Sequence, residues 1–253
     1  MRCRIEAASD CQEASALLER FISPLSARLA DLADEPDLRM RVERAGDDFQ
    51  LFVNDSLRAS AGQPERLVPE LIRTLDDAVI HHLNGLWAVH AGVVQWGERA
   101  LLLPGRSHAG KSTLVAELLR RGATYFSDEY ALIDREGRVH PYPRPLLVRN
   151  GEPEQHPVLA EEFGASTGTL PASLGWILSL TYQPDEAWKI DAIPQSAALV
   201  NLLQNTPHAL EETPALIGVF ERAVAGAQCC AGCRADAKSA AVSILELIGA
   251  RAA

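Results

Sequence analysis

No apolar run in this chain approaches the roughly 20 residues that span a bilayer, so a membrane-embedded protein is not expected. The N-terminal stretch Met-Arg-Cys-Arg-Ile-Glu-Ala-Ala-Ser-Asp lacks the apolar centre of a secretory signal, which makes the cytoplasm the expected location. Positive charge is also short, with 24 Lys and Arg against 34 Asp and Glu and a net charge of −10. That balance argues against a surface built for the phosphates of nucleic acid. The five cysteines form no framework: Cys3 and Cys11 lie near the start, and Cys229, Cys230 and Cys233 near the end. Cys230-x-x-Cys233 has half the spacing of a zinc or redox site, but no second CxxC or HxxxH supplies the remaining ligands. Partly buried free thiols in a reducing compartment are the expectation. Repeats and low-complexity tracts are missing too. What remains is a chain of 253 residues, 47% hydrophobic, enough for a packed core. Its length suits one large domain, or a medium domain with a small one.

Residues 105–112 read Gly-Arg-Ser-His-Ala-Gly-Lys-Ser, which is GxxxxGK[ST], the Walker A phosphate loop. Its flanks fit. The apolar run Ala100-Leu101-Leu102-Leu103 predicts a buried strand before it, and Leu114, Leu118 and Leu119 predict a helix after it. In that order the backbone N–H groups of Gly105, Arg106, Ser107, His108, Ala109, Gly110, Lys111, Ser112 and Thr113 wrap phosphates, and the helix dipole adds to the attraction. Lys111 is expected to reach the β/γ-phosphates of ATP, and the Ser112 hydroxyl to ligate Mg²⁺.

The chain divides near residue 85. Residues 1–85 read as a small α+β domain. Leu17, Leu18, Phe21, Leu25, Leu29 and Leu32 predict helix over 10–32, interrupted at Pro24. Met40–Glu43 and Phe49–Val53 predict a hairpin about Gly46-Asp47-Asp48. Leu67, Leu71, Leu75 and Val79 predict a helix over 64–84. Residues 86–253 alternate strand and helix, with strands at His90–Val94, Ala100–Leu103, Thr124–Phe126 and Trp176–Leu180 and a hairpin about Glu136-Gly137. Helices are expected over 195–204, 212–225 and 236–250. The proline-bearing stretch 141–157 reads as a long exposed loop bordering an acceptor site.

Asp128 and Glu129 end a strand not far beyond Lys111. Neighbouring strand residues face opposite ways, so one carboxylate can serve the metal or the nucleophile while the other holds a different partner. A metal, a lysine and a base that orients the attacking oxygen are what phosphoryl transfer needs.

From His90 to Leu147 the sequence resembles the HPr kinase/phosphorylase catalytic domain and its shorter relatives, which include lasso-peptide precursor kinases. The resemblance rests on His90-Ala91-Gly92-Val93-Val94, on Leu101-Leu102-Leu103-Pro104-Gly105 with the GKS loop, and on Gly122. It continues through Ser127-Asp128-Glu129 and Arg138-Val139 to Pro141-Tyr142-Pro143-Arg144-Pro145. It implies a phosphoenolpyruvate-carboxykinase-like P-loop fold over 86–253, and ATP-dependent phosphorylation of a serine hydroxyl on a peptide, protein or small molecule. Asp128 takes the position of the general base, Glu129 the metal-associated acidic position beside it, and His90 that of a histidine near the phosphates. Arg144 and Arg149 are candidates for the arginine that stabilises transferring charge. The longer family members are hexamers, so a homo-oligomer is compatible. Two departures stand out: the family has Asp-Asp where this chain has Asp128-Glu129, and glycine where it has His108. The signature linked to phosphorylase activity is not recognisable, so a kinase without efficient phosphorolysis is expected. A nucleotide hydrolase and a non-catalytic ATP-binding regulator are the alternatives. No Asn-Lys-x-Asp guanine signature supports the hydrolase, and His108 is the feature that favours the regulator.

Overall fold

The computed structural model divides into two units, Met1–Asn84 with Arg144–Leu159, and Gly85–Pro143 with Ala160–Ala253, and each holds its own cluster of buried apolar side chains. It describes residues 4–22, 35–105, 109–149, 154–184, 186–207, 209 and 213–249. The fold is mixed α/β. No helix among the described residues is long and apolar enough to cross a membrane.

The first unit begins with β1 (Ile5–Ser9) and α1 (Gln12–Phe21), followed by β2 (Leu38–Ala45), β3 (Asp48–Val53) and β4 (Ser56–Ala61). These strands form one sheet in the order β1-β2-β3-β4. The predicted hairpin is β2–β3, which turns at Gly46 (φ 66°). Helix α2 (Val68–His81) follows a short 3-10 turn over Pro64–Leu67. Leu71, Ile72 and Leu75 of α2, at helical spacing, pack with Leu17, Leu18 and Phe21 of α1 over Met40, Val42 and Leu51 of the sheet. The helix predicted over 10–32 is present as α1; most of its second half falls outside the described residues.

The second unit starts with β5 (Leu86–Trp96), β6 (Arg99–Pro104), α3 (Lys111–Leu119), β7 (Thr124–Ser127), β8 (Tyr130–Asp134) and β9 (Arg138–His140). The chain then returns to the first unit as β10 (Leu146–Val148) and β11 (His156–Val158), an antiparallel pair. It re-enters the second unit with β12 (Ala172–Tyr182), β13 (Lys189–Ala192), α4 (Gln195–Gln204), α5 (Thr213–Ala225), β14 (Gln228–Arg234) and α6 (Ala237–Gly249). Eight strands make one sheet in the order β13-β14-β12-β6-β5-β8-β9, with β7 on β5 and a second pairing of β9 to β12. The pairs β12–β6 and β12–β14 are parallel, so these three strands end on the same edge. Helix α6 opens on Asp236, whose carboxylate accepts the Ser239 N–H at 2.8 Å.

Where a long exposed loop is expected over 141–157, the described residues 141–149 and 154–158 instead include the paired strands β10 and β11. Leu146, Leu147 and Val148 are all buried, and Leu147 belongs to the core of the first unit. Three consecutive apolar residues outweigh the flanking prolines once a partner strand is there to bond them. Arg144 precedes them, 3% exposed, with Nη1 3.2 Å from Oδ2 of Asp76 on α2. Arg144→Met leaves a carboxylate buried without its counter-charge, and should cost about 3–5 kcal/mol. Chemical denaturation checks this, and the double change Arg144→Met with Asp76→Leu should recover most of the loss.

A second buried carboxylate fixes the β8–β9 hairpin. Asp134 accepts the N–H groups of Glu136 and Arg138, the Arg138 guanidinium at 3.0 Å, and faces His140 Nε2 at 2.9 Å. Burial pushes this carboxyl up, but the Arg138 amide, His140 and the Arg138 guanidinium outweigh it and hold it below the ordinary 3.8. A depressed carboxylate stabilises the fold at every pH above its unfolded value, and that contribution fades as pH falls through the lowered folded value. Asp134→Asn should therefore cost about 1–3 kcal/mol at pH 7 and noticeably less near pH 3, read from denaturation midpoints at the two pH values.

Candidate functional site

Strand β6 ends at Pro104 and α3 begins at Lys111, so the strand and the helix predicted on either side of the glycine motif are both present. Gly110 caps the helix in the left-handed region (φ 74°, ψ 23°), a conformation glycine adopts without penalty. Gly92 of β5 has a different use: a Cβ there would lie 2.7 Å from Cγ2 of Val115, so the missing side chain lets α3 lie close on the sheet. Lys111 is 8% exposed, Ser112 is half-buried and Thr113 is exposed. Arg106, Ser107 and His108 lie outside the described residues, and with them the consequence of the histidine that replaces the family's glycine.

Strand β5 is the common neighbour of the loop and the acidic pair. The Gly105 N–H donates to the His90 carbonyl at 3.1 Å, and Ala91 stands opposite Pro104. On the other side His90 pairs with Tyr130, and the Ala91 N–H donates to the Glu129 carbonyl at 3.0 Å. One register thus brings the first glycine of the loop, His90, Glu129 and the 127–130 corner together. The sequence shapes that corner locally: Ser127 Oγ accepts the N–H groups of Glu129 at 3.4 Å and Tyr130 at 3.2 Å, a serine turn.

The two carboxylates diverge, as expected of neighbours. Asp128 has no exposed surface, and its Oδ1 accepts the Tyr125 hydroxyl at 3.1 Å. Tyr125 is itself held, with its N–H on Ser166 O and its carbonyl accepting Gly168 N–H, each at 2.8 Å. Glu129 points to His90, with Oε1 3.2 Å from Nδ1, and Nε2 of His90 faces the Tyr130 hydroxyl at 3.2 Å.

Arg144 and Arg149 belong to the first unit. Arg144, a candidate for the arginine that stabilises transferring charge, is buried with its guanidinium 3.2 Å from the Asp76 carboxylate, while Arg149, the other candidate, is exposed. Sequence reasoning missed Tyr125 and Ser127, and also Arg234 at the end of β14, whose guanidinium bonds the carbonyls of Ala109 and Gly110. Serine before an acidic pair at a strand end was the available signal for Ser127; nothing local marks the other two. Cys11, Cys229, Cys230 and Cys233 are free thiols, and Cys229 and Cys230 are buried. Burial, with Cys230 alongside, pushes the Cys229 thiol up.

The residues fit a polyphosphate: a left-handed glycine, a nearly buried lysine and the N-terminus of a nine-residue helix converge at the end of a buried strand. Among the described residues no group of three or more His, Cys, Asp or Glu stands ready to hold a metal ion. A Mg²⁺ arriving with nucleotide takes most of its oxygens from phosphate and water, so a site for it needs few protein donors. One oxygen of Glu129 is already engaged by His90. No protein-family model matches the chain, and no curated protein matches it.

Proposed function

We propose that the chain is an ATP-dependent kinase that phosphorylates a serine hydroxyl on a peptide, protein or small molecule, with a phosphoenolpyruvate-carboxykinase-like P-loop domain over its second unit. The observation that carries this reading is the β5 register, which ties Gly105 through His90 to the Asp128-Glu129 corner. That register supports a phosphate loop beside a buried acidic residue, the combination phosphoryl transfer needs.

ATP with Mg²⁺ supplies the activated γ-phosphoryl group. The loop N–H groups and Lys111 hold the β- and γ-phosphates and offset the charge that develops on the β–γ bridge. Ser112 and Asp128 are the groups that would hold the metal. Asp128 takes the proton as the serine oxygen bonds to phosphorus and the bond to the β–γ bridging oxygen breaks, leaving ADP. Tyr125 orients Asp128, and Glu129 fixes the imidazole of His90 beside the first glycine. A protein working on cellular ATP in this way belongs in the cytoplasm.

One observation favours a second reading. Asp128 has no exposed surface, and water reaches such a carboxylate more easily than a peptide hydroxyl does, which is the geometry of a nucleotide hydrolase. The two separate in an ADP-release assay with Mg²⁺, with and without a pool of serine-bearing peptides. The kinase reading expects ADP to rise with the acceptor and phosphate to appear on serine. A rate indifferent to acceptor, with free phosphate as product, would sink it in favour of hydrolysis.

A further inference from the structure

Arg234 ends β14 opposite Tyr182 of β12, and its carbonyl accepts the Gln183 N–H at 2.8 Å. Its side chain is 3% exposed. Nη2 donates to the carbonyls of Ala109 at 3.2 Å and Gly110 at 2.9 Å, and Nη1 donates to Ala235 O at 3.1 Å. The guanidinium carbon lies 5.3 Å from the centre of the Tyr182 ring. Burial lowers the pKa of this guanidinium from its usual value, with Tyr182 and Asp236 opposing the shift. A charged group is not held at that cost in solvation without close partners, and here two of them are carbonyls of the phosphate loop.

The consequence follows from peptide geometry. In a trans peptide the C=O and N–H point in opposite directions. The Ala109 carbonyl shares its peptide with the Gly110 N–H, and the Gly110 carbonyl with the Lys111 N–H. Holding both oxygens on Arg234 turns both N–H groups away from it, as a loop that cradles phosphate requires. Gly110 makes room for this contact: a Cβ there would lie 2.5 Å from Nη2. The strand arrangement makes it possible, because β6, β12 and β14 are parallel and end on one edge, bringing Arg234 to the loop.

We infer that Arg234 is a positioning residue of the phosphate loop: stacked on Tyr182 and bonded to the Ala109 and Gly110 carbonyls, it pre-sets the N–H groups of Gly110 and Lys111 and thereby the affinity for a nucleoside triphosphate. The inference rests on the phosphate-binding part of the proposed function and not on the acceptor. It gives the half-exposed Tyr182 (51%) a role that its surface position conceals.

Calorimetric titration of Mg·ATP into the wild type, Arg234→Lys, Tyr182→Ala and Tyr182→Phe tests it, with thermal midpoints measured alongside. A lysine cannot bridge two carbonyls as the guanidinium fork does, so Arg234→Lys should bind about 10- to 50-fold more weakly. Tyr182→Ala should bind about 3- to 10-fold more weakly with an unchanged midpoint, and Tyr182→Phe, which keeps the ring, within about twofold of wild type. If Arg234→Lys proves unstable, the Tyr182 pair decides. Wild-type affinity in Tyr182→Ala, or equal losses in the Ala and Phe variants, overturns the inference and leaves the kinase reading standing. No binding by the wild type overturns both.

Discussion

Lys111→Ala should remove phosphoryl transfer and nearly all ATP binding. Lys111 opens α3, 8% exposed, directly after the left-handed Gly110. On the proposed reading, an ammonium in that position would answer phosphate charge in surroundings largely closed to water, where an ion pair weakens little with screening. Truncating one partner of a desolvated charge pair costs about 2–5 kcal/mol, which is roughly 30- to 4000-fold in affinity. On the proposed reading the lysine would also meet the transferring charge, so a further loss of about 10²-fold in turnover at saturating ATP is expected. Binding is read by calorimetry and turnover by ADP release. ATP affinity within threefold of wild type would show that residues 105–112 do not hold the triphosphate.

Asp128→Asn should separate chemistry from binding. The amide keeps the shape of the carboxylate and an oxygen to accept the Tyr125 hydroxyl, so the corner stays folded. It cannot take a proton from a substrate hydroxyl. A general base of this kind contributes about 10²–10⁴-fold, and kcat should fall by that factor while ATP affinity changes by less than about fivefold. The contrast with Lys111→Ala is the diagnostic result, since one variant loses binding and the other only turnover. Near-normal transfer by Asp128→Asn would mean that the base lies elsewhere, with the His90–Glu129 pair 3.2 Å apart as the nearest alternative.

Most of the second unit was legible because its signals are local. The apolar run before Gly105, the leucines after it, the Gly137 turn and the helices α4, α5 and α6 all follow from periodicity and turn chemistry. Strand β14 was not legible: Gln-Cys-Cys-Ala-Gly-Cys-Arg has no β-branched residue, and it becomes a strand because β12 and β13 bond it on both sides. The stretch 141–157 was misread for a related reason. Its prolines suggested a solvated loop, whereas Leu146–Val148 bury themselves once the chain returns to the first unit. Within the site, the loop and the acidic pair were readable as a motif and a spacing. Arg234 was invisible, because 124 positions separate it from Gly110 and only the parallel order of β6, β12 and β14 joins them. The pairing of Glu129 with His90 likewise depends on the β5–β8 register, which no local pattern encodes.

The most direct test of the central claim is to incubate the protein with Mg²⁺ and γ-labelled ATP in a lysate of its source cells, beside the Asp128→Asn variant, and to separate the labelled products by mass. The account predicts label on the serine of a discrete peptide, protein or metabolite in the wild-type reaction and none in the variant. Label recovered only as free phosphate, or label on the same acceptor at equal rate in the variant, would contradict it.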